Sequence, residues 1–326
     1  MLTEFHFDED FLAANDLNGK NSNMVNNMLL DFWLERGCLL YPFSELKNYQ
    51  EWEDTIPAKY SKKWVTALTH ARTYDISKLY KKTVSFENIN QLESLYKPTG
   101  LELILVPNEF TSLGLLDEND SIVFESLEIS KINGLLKSNS YSKSITLCNQ
   151  GIKVGDEIEK IWMLQFQKTA KYSKVITIID RYFGANLSED IGRHKREVAL
   201  DRFVKLLSRE GRKFNITICT VGGERDSELY NEITNYLRKK IASNIQFKNT
   251  ISNITIFSCD DKNFQKFGHD RFICFDNIVY EIGKGFDIFR DLPLFSSTLS
   301  IKSSSHSNFK YSLGELLSRR LWTEEF

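Results

Sequence analysis

The chain has 326 residues, 41% of them hydrophobic and 26% charged, with only 16 Gly and 5 Pro. That is enough apolar material for a sizeable core at a length typical of two domains, and it excludes a disordered, collagen-like or linker-dominated chain. Lys and Arg number 42 against 44 Asp and Glu, a net charge of −2, so no overall basic field marks nucleic acid, and any such binding needs a local patch.

The five cysteines (Cys38, Cys148, Cys219, Cys259, Cys274) form no CxxC pair. An odd, scattered set argues against a disulfide framework and a cysteine zinc site. The first ten residues carry Glu4, Glu9 and Asp10 and lack the basic region and apolar core of a signal peptide. No run of about 18 apolar residues is present, so no membrane span is expected. The expectation is a reduced, cytoplasmic protein without a membrane partner.

In chain order, residues 1–150 mix short apolar runs with helical periodicity. Asn21–Gly37 has apolar residues near helical spacing and stops at a glycine, and Cys38–Pro42 then reads as a short buried strand. Tyr60–Arg72 reads as a helix, Leu101–Val106 and Ser121–Phe124 as strands. This predicts an N-terminal α/β domain, and nothing in it announces a function.

Residues 151–326 are patterned more clearly. Asp156–Tyr172 is an amphipathic helix, and Val175–Ile179 a β-branched strand ending in Asp180-Arg181-Tyr182-Phe183. A helix over Glu197–Arg209, a strand over Phe214–Val221, a helix over Asp226–Ile241 and a strand over Ile254–Ser258 follow. Asp226 or Ser227 is a suitable helix cap. Arg271–Phe275 and Ile278–Ile282 then form a hairpin around Asp276-Asn277, residue types that tolerate the left-handed backbone of a tight turn. Two strand–helix units, a further strand and a hairpin imply a mixed sheet covered by helices.

The densest chemistry lies at that hairpin. His269 and Arg271 are two residues apart on the expected strand, so their side chains leave one face. An imidazole beside a permanent cation suits a phosphate: Arg271 would grip its oxygens while His269 attacks phosphorus or moves a proton. Asp276 would orient the histidine and stabilise its cation. Gly283-Lys284-Gly285 would bring backbone amides and an ammonium to the same anion. Asp180 and Arg181 end the first strand, where open α/β sheets place ligands, and would supply a supporting phosphate contact or the site rim, the alternative being an ion-paired strand terminus.

His269, Arg271, Asp276, Gly283 and Asp287 follow a spacing that resembles the phospholipase D superfamily, with its HxK, four residues, Asp, six residues, GSxxN. The resemblance covers the C-terminal half alone. It implies a phospholipase D-like mixed sheet, two motifs meeting across a twofold axis, one histidine as nucleophile and the other as acid, and no cofactor or metal. Carried over, His269 is nucleophile or acid, Arg271 the phosphate clamp and Asp276 the orienter, with Lys284 and Asp287 at the family's Ser and Asn positions. Arg271, Lys284 and Asp287 all depart from the family's residue types. Because the chain holds one such motif, a two-histidine site implies a homodimer or a partner protein. The implied activity is phosphodiester hydrolysis. Cytoplasmic members of compact type are commonly nucleases of bacterial restriction or defence systems. The alternative is a non-catalytic phosphate- or nucleic-acid-binding scaffold subunit.

Three further readings complete the sequence. Arg193, Lys195 and Arg196 form the densest basic run, expected at a helix start, where such a run is usually a solvated face and, with a nucleic-acid substrate, would track backbone phosphates. His194, Arg196 and Asp201 repeat the motif's first spacing but open a helix, where two residues differ by about 200°. A carboxylate–lysine metal site from Asp180, Asp276, Glu281 and Lys284 is the rival chemistry.

Overall fold

The computed structural model describes residues 2–7, 9–20, 22–43, 56, 58–82, 85–115, 120–290 and 292–326. The chain is mixed α/β and divides into two compact units, Met1–Thr146 and Leu147–Phe326.

The first unit is built on a six-stranded sheet. Its strands are β1 (Thr3–His6), β2 (Gly37–Tyr41), β3 (Arg72–Asp75), β4 (Leu103–Val106), β5 (Ser121–Phe124) and β6 (Leu127–Lys131), in the order β3-β2-β1-β4-β6-β5. All neighbours are parallel except β5, which closes one edge antiparallel to β6. The expected helices lie at Ser22–Glu35 and Ala58–His70. Trp33 and Trp64, one from each, meet with ring centres 6.3 Å apart in a core that also holds Phe5, Phe7 and Leu39. The sequence reading missed β1 because Glu4 and His6 interrupt its apolar character. All four of its residues are nevertheless buried. β6 hides a carboxylate in the same way: Glu128 accepts hydrogen bonds from the Asn139 and Ser140 amides (2.9 and 2.8 Å), so it answers the free N–H groups that start the helix Asn139–Cys148.

The second unit carries a seven-stranded sheet. Its strands are β7 (Val175–Ile179), β8 (Phe214–Thr220), β9 (Ile251–Cys259), β10 (Phe272–Phe275), β11 (Ile278–Ile282), β12 (Leu299–Ser303) and β13 (Arg320–Glu325), ordered β12-β11-β10-β7-β8-β9-β13. β7, β8 and β9 run parallel, and the hairpin β10–β11 joins antiparallel on the other side of β7. Helices Glu228–Ser243 and Ala199–Leu207 fall close to their expected places, and Ser227 caps the first by accepting from the Tyr230 amide at 3.2 Å.

Burial of aromatic rings fixes the loops that matter for function. Phe286 and Phe289 follow the Gly283-Lys284-Gly285 turn and pack on Phe203, with centroids 5.2 and 5.0 Å apart. Each such burial is worth about 1.5–3 kcal/mol, so the turn is pinned from beneath. The expected helix Asp156–Tyr172 spans Ile158–Lys171 with a wider turn at Trp162–Phe166. Tyr280 of β11 stacks on Phe166 at 4.4 Å, donates to the Gln165 carbonyl at 2.6 Å and lies 2.7 Å from the Thr169 hydroxyl. Among the described residues no helix is long and apolar enough to cross a membrane.

Candidate functional site

Strand direction decides which residues meet. β7 and β11 end, and β10 and β12 begin, at one edge of the second sheet, because Phe272 pairs with both Ile179 and Glu281, and Ile282 pairs with Leu299. Asp180, Arg181 and Tyr182 therefore share this edge with His269, Arg271, Gly283, Lys284, Ser297 and Thr298. All of these except Asp180 line one or both of two neighbouring pockets, of about 580 and 420 Å³.

Asp180 is the buried centre of the edge, 2% exposed. Its carboxylate accepts from the Tyr182 amide at 2.9 Å and the Phe286 amide at 2.7 Å, tying the end of β7 to the turn after β11. Burial pushes its pKa up to about 6, against the pull of those two amides and of the Arg271 guanidinium. Asp180 is thus a clamp beneath the surface, rather than the supporting phosphate contact or rim residue expected from the sequence. Gly285 makes the approach possible. It sits at φ +59°, and a Cβ there would lie 2.1 Å from Asp180 Oδ2 and 2.4 Å from Arg271 Cδ.

Arg271 lies in the segment before β10 with its guanidinium 4.7 Å from the centre of the Tyr182 ring. Among the described residues neither Arg271 nor Lys284 forms an ion pair with a carboxylate, whereas the other cations lining the larger pocket do. Arg181 makes a two-pronged pair with Asp261 (2.6 and 2.8 Å), and Lys302 pairs with Glu281. Arg181 is accordingly an ion-paired strand terminus on the rim. Asp287 is engaged by the Asn186 side-chain amide at 2.6 Å, and the Lys284 amide donates to the Ser297 hydroxyl at 3.0 Å.

Two expectations are corrected by the geometry. His269 does not share a strand face with Arg271, since β10 begins only at Phe272; the imidazole projects from the preceding loop with its side chain 90% exposed. Its Nδ1 lies 3.7 Å from the Asp270 carboxylate, beyond hydrogen-bond reach. Asp276 cannot orient it. Asp276 occupies the hairpin turn at φ +52°, at the opposite edge of the sheet, about 16 Å of strand from Arg271. There its carboxylate accepts from the Val175 amide at 2.9 Å and the Lys174 amide at 3.3 Å. The same separation keeps the carboxylate–lysine set from assembling, since Glu281 is also occupied by Lys302, Ser300 and Ser307.

The basic run is placed differently too. Arg193, Lys195 and Arg196 do not open a helix but follow the end of Phe183–Gly192, where the helix dipole favours cations. Arg193 pairs with Glu189 at 2.6 Å and Lys195 with the buried Asp190 at 2.9 Å, leaving Arg196 exposed. Burial works against the Asp190 charge, but hydrogen bonds from Arg290 and Lys195 prevail and hold its carboxyl below the ordinary range.

The sequence reading gave no role to Tyr182, Asn186, Ser297 or Thr298. Tyr182 carried a signal, since it follows the Asp-Arg pair at a strand end. Ser297 and Thr298 carried none, because β12 was not foreseen. Compared with family models and with curated proteins, the chain matches none of them.

Proposed function

We propose that the C-terminal unit is a phospholipase D-like domain that binds and hydrolyses phosphodiesters, of nucleic acid rather than lipid, through His269 and without a metal. The observation that carries this reading is the gathering of His269, Arg271 and Gly283 in one pocket, where among the described residues Arg271 makes no ion pair with a carboxylate. The sheet order supports it: two strand–helix units and a third strand precede a hairpin whose open end bears His269, Arg271 and Gly283, though not Asp276. Arg271 grips the phosphate oxygens and Lys284 adds charge. An imidazole nitrogen of His269 attacks phosphorus. The N–P bond forms as the P–O bond breaks, and the electron pair passes to the leaving oxygen, which takes a proton from the His269 of a second copy of the chain. Water then cleaves the N–P bond and restores the imidazole. A homodimer follows from this reading, because the chain holds one such histidine.

The exposure of His269 and the remoteness of Asp276 favour a second reading, a phosphodiester-binding scaffold without turnover. The experiment that separates them is cleavage of labelled single- and double-stranded DNA and RNA in EDTA, comparing wild type with His269→Ala. Cleavage that persists in EDTA and is lost in the variant is the expected result. Binding without cleavage would establish the scaffold reading. Cleavage abolished by EDTA would overturn the histidine mechanism.

A further inference from the structure

The two pockets at this edge share a wall. Tyr182, Arg271, Gly283 and Thr298 line both. Beyond that wall the larger pocket is lined by His269, Gln265 and Lys302, and the smaller by Asn186, Lys284 and Ser296. An anion held by the Arg271 guanidinium therefore stands between two spaces. At about 580 and 420 Å³, each is within the usual size of a small-molecule site. A phosphate monoester, or a diester of a small alcohol, has one large group and fills one of them. A diester with a large group on each ester oxygen fills both.

The lining decides what those groups are. Among the described residues that line the smaller pocket, Tyr182 is the only ring and none is aliphatic. An acyl chain would find no aliphatic side chain to pack on there, only the Tyr182 ring and the carbon atoms of polar side chains. A sugar and base would find the amide of Asn186, the hydroxyls of Ser296, Ser297 and Thr298, the ammonium of Lys284, the carboxylate of Asp287 and the edge of the Tyr182 ring, whose face is covered by Arg271. The larger pocket offers Ser300, Thr298 and Gln265 beside the apolar Phe264, Ile282 and Leu299, a mixture that suits the polar edge and apolar face of a nucleoside. We infer that the ligand of this site is a dinucleoside phosphodiester, an internal linkage of a nucleic-acid strand, with its phosphate on Arg271 and one nucleoside in each pocket. This inference rests on the phosphodiester reading above and adds to it that both flanking nucleosides are bound. Attack by His269 from the larger pocket would send the leaving oxygen toward the smaller one, since attacking and leaving atoms lie roughly in line at phosphorus.

The test is binding by the full chain, carrying His269→Ala so that no turnover passes through the imidazole. Calorimetry in EDTA would compare thymidylyl-thymidine with the methyl phosphodiester of thymidine, which has the same charge and one nucleoside. The dinucleoside should bind about tenfold more tightly, roughly the contribution of one or two hydrogen bonds made in the smaller pocket. Ser296→Trp then fills the smaller pocket from an exposed position whose side chain makes no hydrogen bond among the described residues. It should erase the dinucleoside advantage and leave the methyl ester within about twofold. Equal affinities, or an advantage that survives in a folded Ser296→Trp protein, would overturn the two-pocket inference while leaving phosphodiester binding intact. If that variant fails to fold, Ser296→Gln narrows the same pocket and should reduce the advantage. Failure of both ligands to bind would overturn the phosphodiester reading itself, and this inference with it.

Discussion

At the scale of single residues, Asp180 decides how the site responds to acid. Its folded pKa is raised, from an ordinary value near 3.8 to about 6, so its carboxyl contributes stability in the neutral form and loses it as the charge develops. The loss begins as pH rises above about 4 and is complete above pH 7, amounting to about 3 kcal/mol for a fully buried group. Two measurements check this. The stability difference between Asp180→Asn and wild type should move in favour of the variant by that amount across the window, read by denaturant titration at successive pH values. Sulfate, which does not titrate there, should bind more tightly at pH 5 than at pH 7.5, because protonation removes a negative charge from behind Arg271. That comparison belongs in a His269→Ala background, so that the imidazole does not contribute. A sulfate affinity that keeps its pH dependence after Asp180→Asn would show that another group sets it.

At the scale of elements, the hairpin β10–β11 separates residues that the sequence places close together. Five positions along an extended chain carry Asp276 to the far edge of the sheet, and its two backbone contacts show what it does there. It stabilises a turn residue at φ +52° and holds the start of β7. Asp276→Ala should therefore cost about 1–3 kcal/mol, from the lost contacts and the strained backbone. Sulfate affinity in the folded variant should stay within about twofold of wild type. A large loss of anion binding without a loss of stability would return Asp276 to the site. The strands themselves were legible where β-branched residues run unbroken, as in β7, or where a turn pair marks a hairpin, as between β10 and β11. β1 and β6 were not, because a buried Glu4, His6 or Glu128 reads as surface until its partners are known. The site was legible in the same partial way. Arg271, Lys284 and the glycines at 283 and 285 are adjacent in sequence to the elements that place them, so spacing sufficed. The Arg181–Asp261 pair and the Asn186–Asp287 contact join positions 80 and 101 residues apart, and no local pattern encodes them.

At the scale of the whole molecule, the two units carry separate cores. The cluster around Trp33 and Trp64 draws all its members from the first unit, and that around Phe257, Phe264, Phe272 and Leu316 draws all of its members from the second. Each unit also has its own sheet, with every strand hydrogen-bonded inside that unit. A unit that supplies its own sheet and core meets the requirements for folding alone. Every residue assigned to the site lies in the second unit, from Asp180 to Lys302. Residues 147–326 expressed alone should then unfold in one cooperative transition and bind sulfate with the affinity of the full chain. If the fragment instead binds a hydrophobic dye and gives no cooperative transition, its fold depends on the first unit. A fragment that folds but has lost its sulfate affinity would place part of the anion site in residues 1–146. The expected result, a folded and competent fragment, would assign residues 1–146 a task other than building the pocket, and would make substrate choice or partner binding the property to measure when that unit is deleted.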